Sequence, residues 1–205
     1  MLLIESISNY SKKDIDLGKT PADVYRLCSW IRETFCLSYA IRKDNNLFLY
    51  FEKDYSLIQF KGEELKYLGP DERSEALLLA KALDKIRRTN RDEINEWRKS
   101  TPGILIRKFS DNTAFMSFYQ LISNYIGFLV IDLNVQNDSF ESIEISDDDF
   151  FIIPTYNSRS GTSDLFKKLK NTKLISISNI KSVENKLLYI NFRKDKQRAQ
   201  MEIIK

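Results

Sequence analysis

Residues 150–154 of the chain read FFIIP, an apolar run that ends in proline. A run of this length between polar segments is typical of a buried strand, and Pro154 ends it because proline has no backbone N–H to donate. Similar apolar runs occur at 126–133 (IGFLVIDL) and 173–178 (KLISIS), and helix-like or polar segments separate them. From about residue 100 onward, this alternation predicts an α/β fold with a largely parallel sheet.

The carboxyl ends of these three strands are where a ligand is expected, because open α/β sheets bind ligands beyond that edge. The sequence predicts those ends at residues 129–132, 153–156 and 175–178.

Two amphipathic helices are predicted in the first hundred residues. The first begins at Thr20, where Pro21 suits the first helical position and Asp23 completes a Thr-x-x-Asp capping pattern. The second begins at Pro70, which follows a chain-breaking glycine. Each helix carries one apolar stripe, formed by Val24, Leu27, Cys28, Ile31 and Phe35 in the first and by Leu78, Leu79, Ala82, Leu83 and Ile86 in the second.

The remaining elements follow from shorter patterns. Two strand candidates at 46–51 and 56–62 flank a short polar segment and predict a hairpin. A short polar helix is expected at 91–100, and a Pro-Gly turn then leads into a strand at 104–109. Residues 182–191 are compatible with a helix, although LLYINF (187–192), which overlaps them, also fits a strand.

Composition limits the class of protein. The chain has 205 residues, 42% hydrophobic and 30% charged, which suits one globular domain. No apolar run approaches the roughly 18 residues that span a bilayer, and the start lacks signal-peptide features, so a cytosolic protein without membrane contact is expected. The net charge of +3 permits nucleic-acid binding without demanding it.

The chain has no histidine and two cysteines. Cys28 and Cys36 lie eight positions apart on one predicted helix, about 12 Å along its axis, which is too far for a disulfide. Reduced thiols are therefore expected. Without histidine, two cysteines do not make a zinc site, and no metal is expected.

Three ordered segments carry a family resemblance. GPDER opens a helix that has Ala-Leu further along, and Thr-Pro-Gly-Ile precedes an Arg-Lys pair. The segment 27–44, LCSWIRETFCLSYAIRKD, is similar to a family pattern L-C-x-x-V-x-x-x-F-x-L-S-H-x-I-R-R-D. Together they resemble the archaeal tRNA pseudouridine-54 N1-methyltransferases, the TrmY family of the SPOUT class, over about 20–109. Matching positions are Leu27, Cys28, Phe35, Leu37, Ser38, Ile41, Arg42 and Asp44.

The resemblance implies one SPOUT domain over 1–205. Its mostly parallel sheet would have helices on both faces, and the part from about 100 to 205 would form a trefoil knot that binds S-adenosyl-L-methionine. A homodimer with its active site near the subunit interface and a tRNA partner are also implied. The implied reaction is methyl transfer to N1 of a pseudouridine in the T-loop. It requires in-line approach and loss of the N1 proton, which a carboxylate or water can accept without histidine.

The resemblance also assigns candidate residues. RNA contacts are expected from the basic side chains Arg42, Lys43, Arg73, Arg107 and Lys108. The catalytic candidates are Asp44, Asp71 and Arg73, although helix capping would also explain Asp71. Cofactor contacts by position are Leu129, Ile153, Pro154, Thr155, Ile175, Ser176, Ile177, Ser178 and Leu187, of which the four leucine and isoleucine residues at 129, 153, 175 and 177 also suit a sheet core.

The cofactor region departs from the family pattern. Pro154, Thr155 and Tyr156 stand where the family usually has a Gly-Asp-His triplet, and proline removes an amide donor there. An RNA methyltransferase is the leading interpretation. The alternatives are a non-catalytic SPOUT paralogue that binds RNA or protein after losing the cofactor site, and a small α/β interaction module that shares these segments through fold requirements.

Overall fold

The computed structural model describes residues 1–122, 128–131, 140, 143–146, 148–155, 171–177 and 180–203, which fall into two compact units, Met1–Phe115 and Met116–Lys205. The first unit contains three helices and five strands among its described elements, and a fourth helix, α4 (Asn112–Ile122), crosses the division at residue 115. In chain order these are β1 (Leu2–Ile4), α1 (Lys12–Asp16), α2 (Ala22–Phe35), β2 (Asn46–Phe51), β3 (Ser56–Lys61), α3 (Glu72–Arg87), β4 (Arg98–Thr101) and β5 (Ile104–Lys108).

The sheet of the first unit has the order β4-β5-β3-β2-β1. Strands β1 and β2 are parallel, whereas β2–β3, β3–β5 and β4–β5 are antiparallel. The predicted hairpin at 46–51 and 56–62 is confirmed as β2–β3. Short connections impose the antiparallel pairing of β2 with β3 and of β4 with β5, because a parallel pair needs a crossover of a dozen or more residues. The connection from β1 to β2 is long enough, since it contains α1 and α2.

The core of the first unit lies under α2 and α3, which pack against each other. Both predicted apolar stripes are buried, from Val24 to Phe35 on α2 and from Leu78 to Ile86 on α3. The sheet contributes further buried side chains, including Leu49, Ile58 and Phe60. Periodicity in the sequence therefore identified the buried faces of both helices correctly.

The predicted starts of both helices are two residues early. Helix α2 begins at Ala22 with Pro21 at the N-cap position. The carboxylate of Asp23 accepts N–H bonds from Ser8 at 2.6 Å and Val24 at 3.0 Å, so it ties the preceding loop to the helix. Helix α3 begins at Glu72, because Asp71 is extended and its carboxylate caps the helix.

Two short elements differ from the prediction. Residues 91–100 were expected to form a helix, but only Arg91–Glu93 make a single 3₁₀ turn, and β4 follows. Strand β4 has the polar sequence RKST and is an edge strand that is only partly buried. A partly buried edge strand can do without apolar side chains, so no apolar pattern marks it in the sequence. The Pro-Gly turn therefore joins two strands. Helix α1 also arises in a segment that reads as a polar connection.

The second unit contains three described strands and a long C-terminal helix. The strands are β6 (Phe128–Ile131), β7 (Phe150–Pro154) and β8 (Thr172–Ile175), in the order β7-β6-β8, and both pairs are parallel. The predicted parallel α/β arrangement is confirmed here. The ambiguous tail forms helix α5 (Val183–Ile203). Among the described residues, no helix combines the length and apolar character needed to cross a membrane.

Candidate functional site

Gly62 anchors the segment that carries Arg42 and Lys43. A Cβ atom at Gly62 would lie 2.4 Å from the carbonyl oxygen of Arg42, 2.5 Å from that of Asn45 and 2.9 Å from that of Lys43. The Gly62 amide donates to the Asn45 carbonyl at 2.9 Å. Only glycine allows the two backbones to approach this closely. The close contact fixes the 42–45 segment against the end of β3.

Gly103 anchors the next segment in the same way. Its φ of +77° lies in the left-handed region, and an added Cβ would lie 2.5 Å from the Leu65 amide nitrogen and 2.6 Å from the Glu64 carbonyl carbon. The Gly103 carbonyl accepts the Lys61 N–H at 2.8 Å. The turn in the Thr-Pro-Gly-Ile motif therefore packs on the backbone that leads to GPDER.

Lys43 joins these segments. Its Nζ donates to the Leu65 carbonyl at 3.2 Å. A tight loop precedes it, closed by an isolated bridge between Cys36 and Ile41 and by an N–H bond from Arg42 to the Phe35 carbonyl at 2.7 Å. The 27–44 segment and the Thr-Pro-Gly-Ile turn therefore both pack on residues 61–65, and the Gly69 carbonyl that opens GPDER lies 3.9 Å from the Cys36 sulfur. The structure brings Arg42, Lys43 and Asp44 together there, with Lys43 and Asp44 exposed.

The GPDER segment is held by its own hydrogen bonds. The Asp71 carboxylate accepts the Ser74 N–H at 2.8 Å, and the Ser74 hydroxyl donates to the Gly69 carbonyl at 3.1 Å. The N–H bond from Ser74 holds the pKa of Asp71 below its usual value. Asp71 thus acts as the N-cap of α3. Arg73 points to Asp16, with Nη2 and Nε at 2.7 and 3.2 Å from the same carboxylate oxygen.

Arg107 and Lys108 lie apart from that cluster. These two residues end β5. At about 3.3 Å per strand residue, Lys108 lies about 13 Å along the strand from Ile104, the residue that follows Gly103. The Arg107 guanidinium lies 5.0 Å from the ring centroid of Phe109 and 5.7 Å from that of Trp97. These contacts give Arg107 a packing role on the sheet.

Glu75 is a buried carboxylate that the sequence analysis missed. Its side chain is fully buried on α3, and its nearest described cation is Arg32, whose Nη2 lies 3.7 Å away. Neither carboxylate oxygen accepts a hydrogen bond from a described residue. Burial raises the pKa of Glu75 to about 8, and the Arg32 charge opposes that rise. The spacing of Glu75 along the helix could have revealed its burial, because it lies three residues before Leu78 and four before Leu79 on the apolar stripe.

The two cysteines are free thiols. Burial raises the pKa of Cys28 to about 12 and that of Cys36 to about 11, and the nearby Glu75 adds to both shifts. Thiols with such values are not nucleophiles at neutral pH. Among the described residues, no cluster of three or more histidine, cysteine or acidic side chains is placed to hold a metal ion.

The second unit gathers most of the cofactor candidates at one edge of its sheet. Because β6, β7 and β8 are parallel and in register, their carboxyl ends share that edge. Leu129 lies further back, paired with Phe151 and Lys173. Ser178 and Tyr156 lie outside the described residues. The residues at or just beyond the edge are Ile153, Pro154, Thr155, Ile175, Ser176 and Ile177.

The accessible groups at this edge are backbone groups and the half-buried side chains of Pro154, Thr155 and Ser176. Ile153, Ile175 and Ile177 are buried and belong to the sheet core. Backbone carbonyl and amide groups can recognise the polar atoms of a nucleoside. These groups therefore fit S-adenosylmethionine, with one amide fewer because of the proline.

Helix α5 carries Leu187 and a buried neighbour. Leu187 is half-buried, and Lys186 is 3% exposed. Burial lowers the pKa of Lys186. Further along the helix, Arg193 donates to the carbonyls of Phe140 at 3.0 Å and Ile143 at 2.9 Å. The Phe140 amide in turn donates to the Ser176 carbonyl at 3.3 Å, so α5 is linked to the segment that follows β8.

Comparison with known proteins agrees with this arrangement. A family described as "Putative SAM-dependent RNA methyltransferase" matches residues 5–188. A tRNA (pseudouridine(54)-N(1))-methyltransferase of Haloferax volcanii is 30% identical over 150 residues, which cover 73% of this chain and 69% of that protein. The enzyme of the same name from Methanocaldococcus jannaschii is 29% identical over 148 residues (69% and 70%), and that from Methanocella arvoryzae is 23% identical over 192 residues (92% of each).

The fold is also seen in a solved structure. Nep1 of Archaeoglobus fulgidus, bound to S-adenosylhomocysteine, superposes with a TM-score of 0.54 over 91% of this chain and 79% of that chain, at 13% identity. This likeness concerns the fold, and it confirms the predicted SPOUT-type α/β class. The sequence matches, which span both units, add the family. The chain belongs to the S-adenosylmethionine-dependent RNA methyltransferase family, in which its named relatives are tRNA (pseudouridine(54)-N(1))-methyltransferases.

Proposed function

We propose that the chain methylates N1 of pseudouridine in the tRNA T-loop, with S-adenosyl-L-methionine as the methyl donor. The family match over 5–188 and the names of the relatives support this assignment. The structural observation that supports it is the packing of the 42–45 segment and the Thr-Pro-Gly-Ile turn on residues 61–65, which holds Lys43 exposed and Arg42 half-buried beside it in the chain. The substrate would place the enzyme in the cytoplasm.

The cofactor assignment rests on the edge of the second unit. We infer that the backbone of Pro154, Thr155 and Ser176 binds the donor, with Ile153, Ile175, Ile177, Ser178 and Leu187 beside them and Leu129 behind. The bound donor would supply a methyl group on a sulfonium. From the SPOUT class we also infer a single domain over 1–205 with a trefoil knot within about 100–205.

The protein must orient the base and accept one proton. The N1–methyl bond forms as the sulfonium–methyl bond breaks, and the N1 proton leaves. Asp44 suits this role as an exposed carboxylate beside Lys43. Asp71 is less suited because capping lowers its pKa, although it remains a candidate, and Arg73 would orient rather than accept.

The RNA contacts divide by position in the first unit. Arg42 and Lys43 would contact phosphate, together with Arg73 if it leaves Asp16. Arg107 and Lys108 would contact RNA only if the bound molecule extends along β5. A homodimer is proposed as well, since Leu188 and Phe192 lie one turn apart on α5 and are 52% and 60% exposed.

A methylation assay tests the proposal. The purified protein is incubated with the donor and two T-arm transcripts that differ only in pseudouridine or uridine at the target position. Mass spectrometry should show one added methyl group in the pseudouridine transcript alone. The single-turnover rate and the tRNA affinity of Asp44→Asn test Asp44 as the proton acceptor, because that role predicts a lower rate at unchanged affinity. Equal methylation of both transcripts would refute the assigned position.

A second function is favoured by Pro154, which removes an amide donor at the edge where the donor would bind. A non-catalytic SPOUT protein that binds RNA or a protein partner would keep the surface at Arg42 and lose the cofactor. Calorimetric titration separates the two. Heat of binding on adding S-adenosylmethionine supports the enzyme, and no heat from a folded sample supports the non-catalytic protein.

A further inference from the structure

Two tyrosines near the Gly62 contact are exposed. Tyr39 is fully exposed and Tyr67 is 76% exposed, whereas Tyr10, Tyr50 and Tyr119 are buried. One exposed aromatic side chain is ordinary on a protein surface. Two on neighbouring loops are less usual, because exposed apolar groups that lie together often mark a binding site.

Backbone and side-chain contacts place the two tyrosines on neighbouring loops. Tyr39 lies at the tip of an exposed turn that the Leu37 amide closes by donating to the Ala40 carbonyl at 2.8 Å. The loop that carries Tyr67 is tied to the segments flanking this turn at two points. The Leu65 carbonyl accepts from Lys43 at 3.2 Å, and the Gly69 carbonyl lies 3.9 Å from the Cys36 sulfur.

The backbone at Tyr67 is unusual. Its φ is +67°, in the left-handed region that residues other than glycine rarely adopt. A bulky side chain pays a conformational cost there, and at 76% exposure the ring recovers little by burial. Glycine or asparagine would suit the backbone better. The conformation therefore presents a ring at a position where folding alone gives no reason for one.

Charged side chains flank the two tyrosines along the chain. Lys43 and Lys66 are exposed and Arg42 is half-buried, and the acidic residues Asp44, Glu63 and Glu64 are exposed as well. Glu64 is paired with Lys61 at 3.0 Å. Cations next to exposed aromatic rings match the two parts of an unpaired nucleotide, since the phosphate takes the charge and the base takes the ring.

We propose that Tyr39 and Tyr67 form a stacking surface for unpaired bases of an RNA loop, with Lys43 and Lys66 on the adjoining phosphates. The ligand is single-stranded or looped RNA, because the bases of a duplex are stacked on one another and do not offer their faces to a side chain. This inference deepens the proposed function and rests on it, since it takes RNA as the ligand. It would make the protein select the loop of its substrate over the stem.

Binding measurements test the inference. Fluorescence anisotropy of the purified chain would use three labelled RNAs, namely a T-arm hairpin, a single strand with the loop sequence and a blunt duplex of the stem. Tyr39→Ala and Tyr67→Ala should each weaken binding to the first two about tenfold, as expected for lost base stacking. The affinity for the duplex and the slope of log affinity against log salt should stay unchanged.

Matched variants separate stacking from folding. Tyr39→Phe and Tyr67→Phe keep the ring and should keep the affinity. Tyr25→Ala removes a tyrosine of α2 that is 52% exposed, and it should bind all three RNAs normally. Lys66→Ala should weaken binding to every RNA and lower the salt slope by about one.

The outcomes distinguish this inference from the proposed function. If the wild-type chain binds and methylates the hairpin and both alanine variants match it, the stacking surface is wrong and the methyltransferase assignment stands. If the variants bind RNA normally and lose self-association in sedimentation, the surface belongs to a second copy of the chain. If the wild-type chain binds none of the three RNAs, both proposals fail.

Discussion

The Arg32 guanidinium lies 3.7 Å from the carboxylate of Glu75, a fully buried group to which no described residue donates a hydrogen bond. A buried carboxylate so poorly satisfied prefers to hold a proton, and this makes the stability of the first unit sensitive to pH.

Stability should therefore fall as the pH rises. Burial raises the pKa of Glu75 from 4.5 to about 8, so the folded state binds the proton more tightly than the unfolded state. The stabilisation is complete below about 4.5 and is lost between about 4.5 and about 8. Glutamine does not titrate, so the Glu75→Gln variant should lose less unfolding free energy than the wild type between pH 6 and pH 8, by about 1–2 kcal/mol. Urea denaturation at several pH values measures it, and an unchanged slope would contradict it.

Gly103→Ala should cost more stability than Gly18→Ala. Both glycines have positive φ, +77° and +67°, so alanine is strained at each by about 1 kcal/mol. An added Cβ at Gly18 meets nothing within 4 Å, whereas at Gly103 it meets Leu65 at 2.5 Å. Gly103→Ala should therefore lower the unfolding free energy by about 2 kcal/mol or more beyond the loss in Gly18→Ala, and this difference measures the cost of the close contact. Equal losses of unfolding free energy in the two variants would mean that the 64–65 backbone moves away from the added Cβ without cost.

Arg42→Ala should weaken tRNA binding and lower the slope of log affinity against log salt by about one, because one phosphate contact is lost. Lys53→Ala is the control. Lys53 pairs with Glu5 at 2.9 Å just past the end of β2, whereas Arg42 lies before the start of that strand. Because a strand of six residues spans about 20 Å, the control lies at the other end of β2 from Arg42. Filter binding at several salt concentrations compares the two. A loss as large for Lys53→Ala would indicate nonspecific attraction.

Thr155→Trp should abolish binding of S-adenosylmethionine, because the indole would fill space at the carboxyl edge of β7. Thr172→Trp places the same side chain at the amino end of β8, and both threonines are half-buried. Calorimetric titration of the two variants, with circular dichroism as a check of folding, should show heat for the second alone. Binding by both would place the cofactor elsewhere.

Leu188→Glu combined with Phe192→Glu should convert a dimer into monomers at micromolar concentration. Two charges on the exposed face of α5 would repel their counterparts and lose apolar burial. Leu17→Glu, at a leucine of the first unit that is 57% exposed, should leave the dimer intact. Sedimentation velocity distinguishes them, and a wild-type monomer would contradict the proposed dimer.

Periodicity predicted the elements that bury one face or both. The stripes of α2 and α3 and the runs that became β6, β7 and β8 were all identified correctly. Prediction was wrong where one side chain decides a boundary. Proline is favoured at the first helical position, yet α3 starts two residues after Pro70, because the Asp71 carboxylate caps the Ser74 amide.

The candidate site was predicted in part. The motif segments around Arg42, Asp71 and Gly103 were recognised in the sequence, but their meeting depends on backbone contacts at Gly62 that leave no periodic signal. Edge strand β4 lacks a buried face, so its polar sequence was read as a helix. Glu75 went unnoticed because charge was taken as a sign of exposure, although its helical position points to the core.

The surface with Arg42 and Lys43 rests on two residues that have no side chain, Gly62 and Gly103. The close backbone contacts at these glycines do not depend on the exposed side chains of the neighbouring loops. A mutant library that randomises 37–40, 66 and 67 while leaving both glycines, Lys43 and Leu65 intact should yield mostly foldable proteins. Selection from such a library offers a route to enzymes with new RNA targets on an unchanged scaffold.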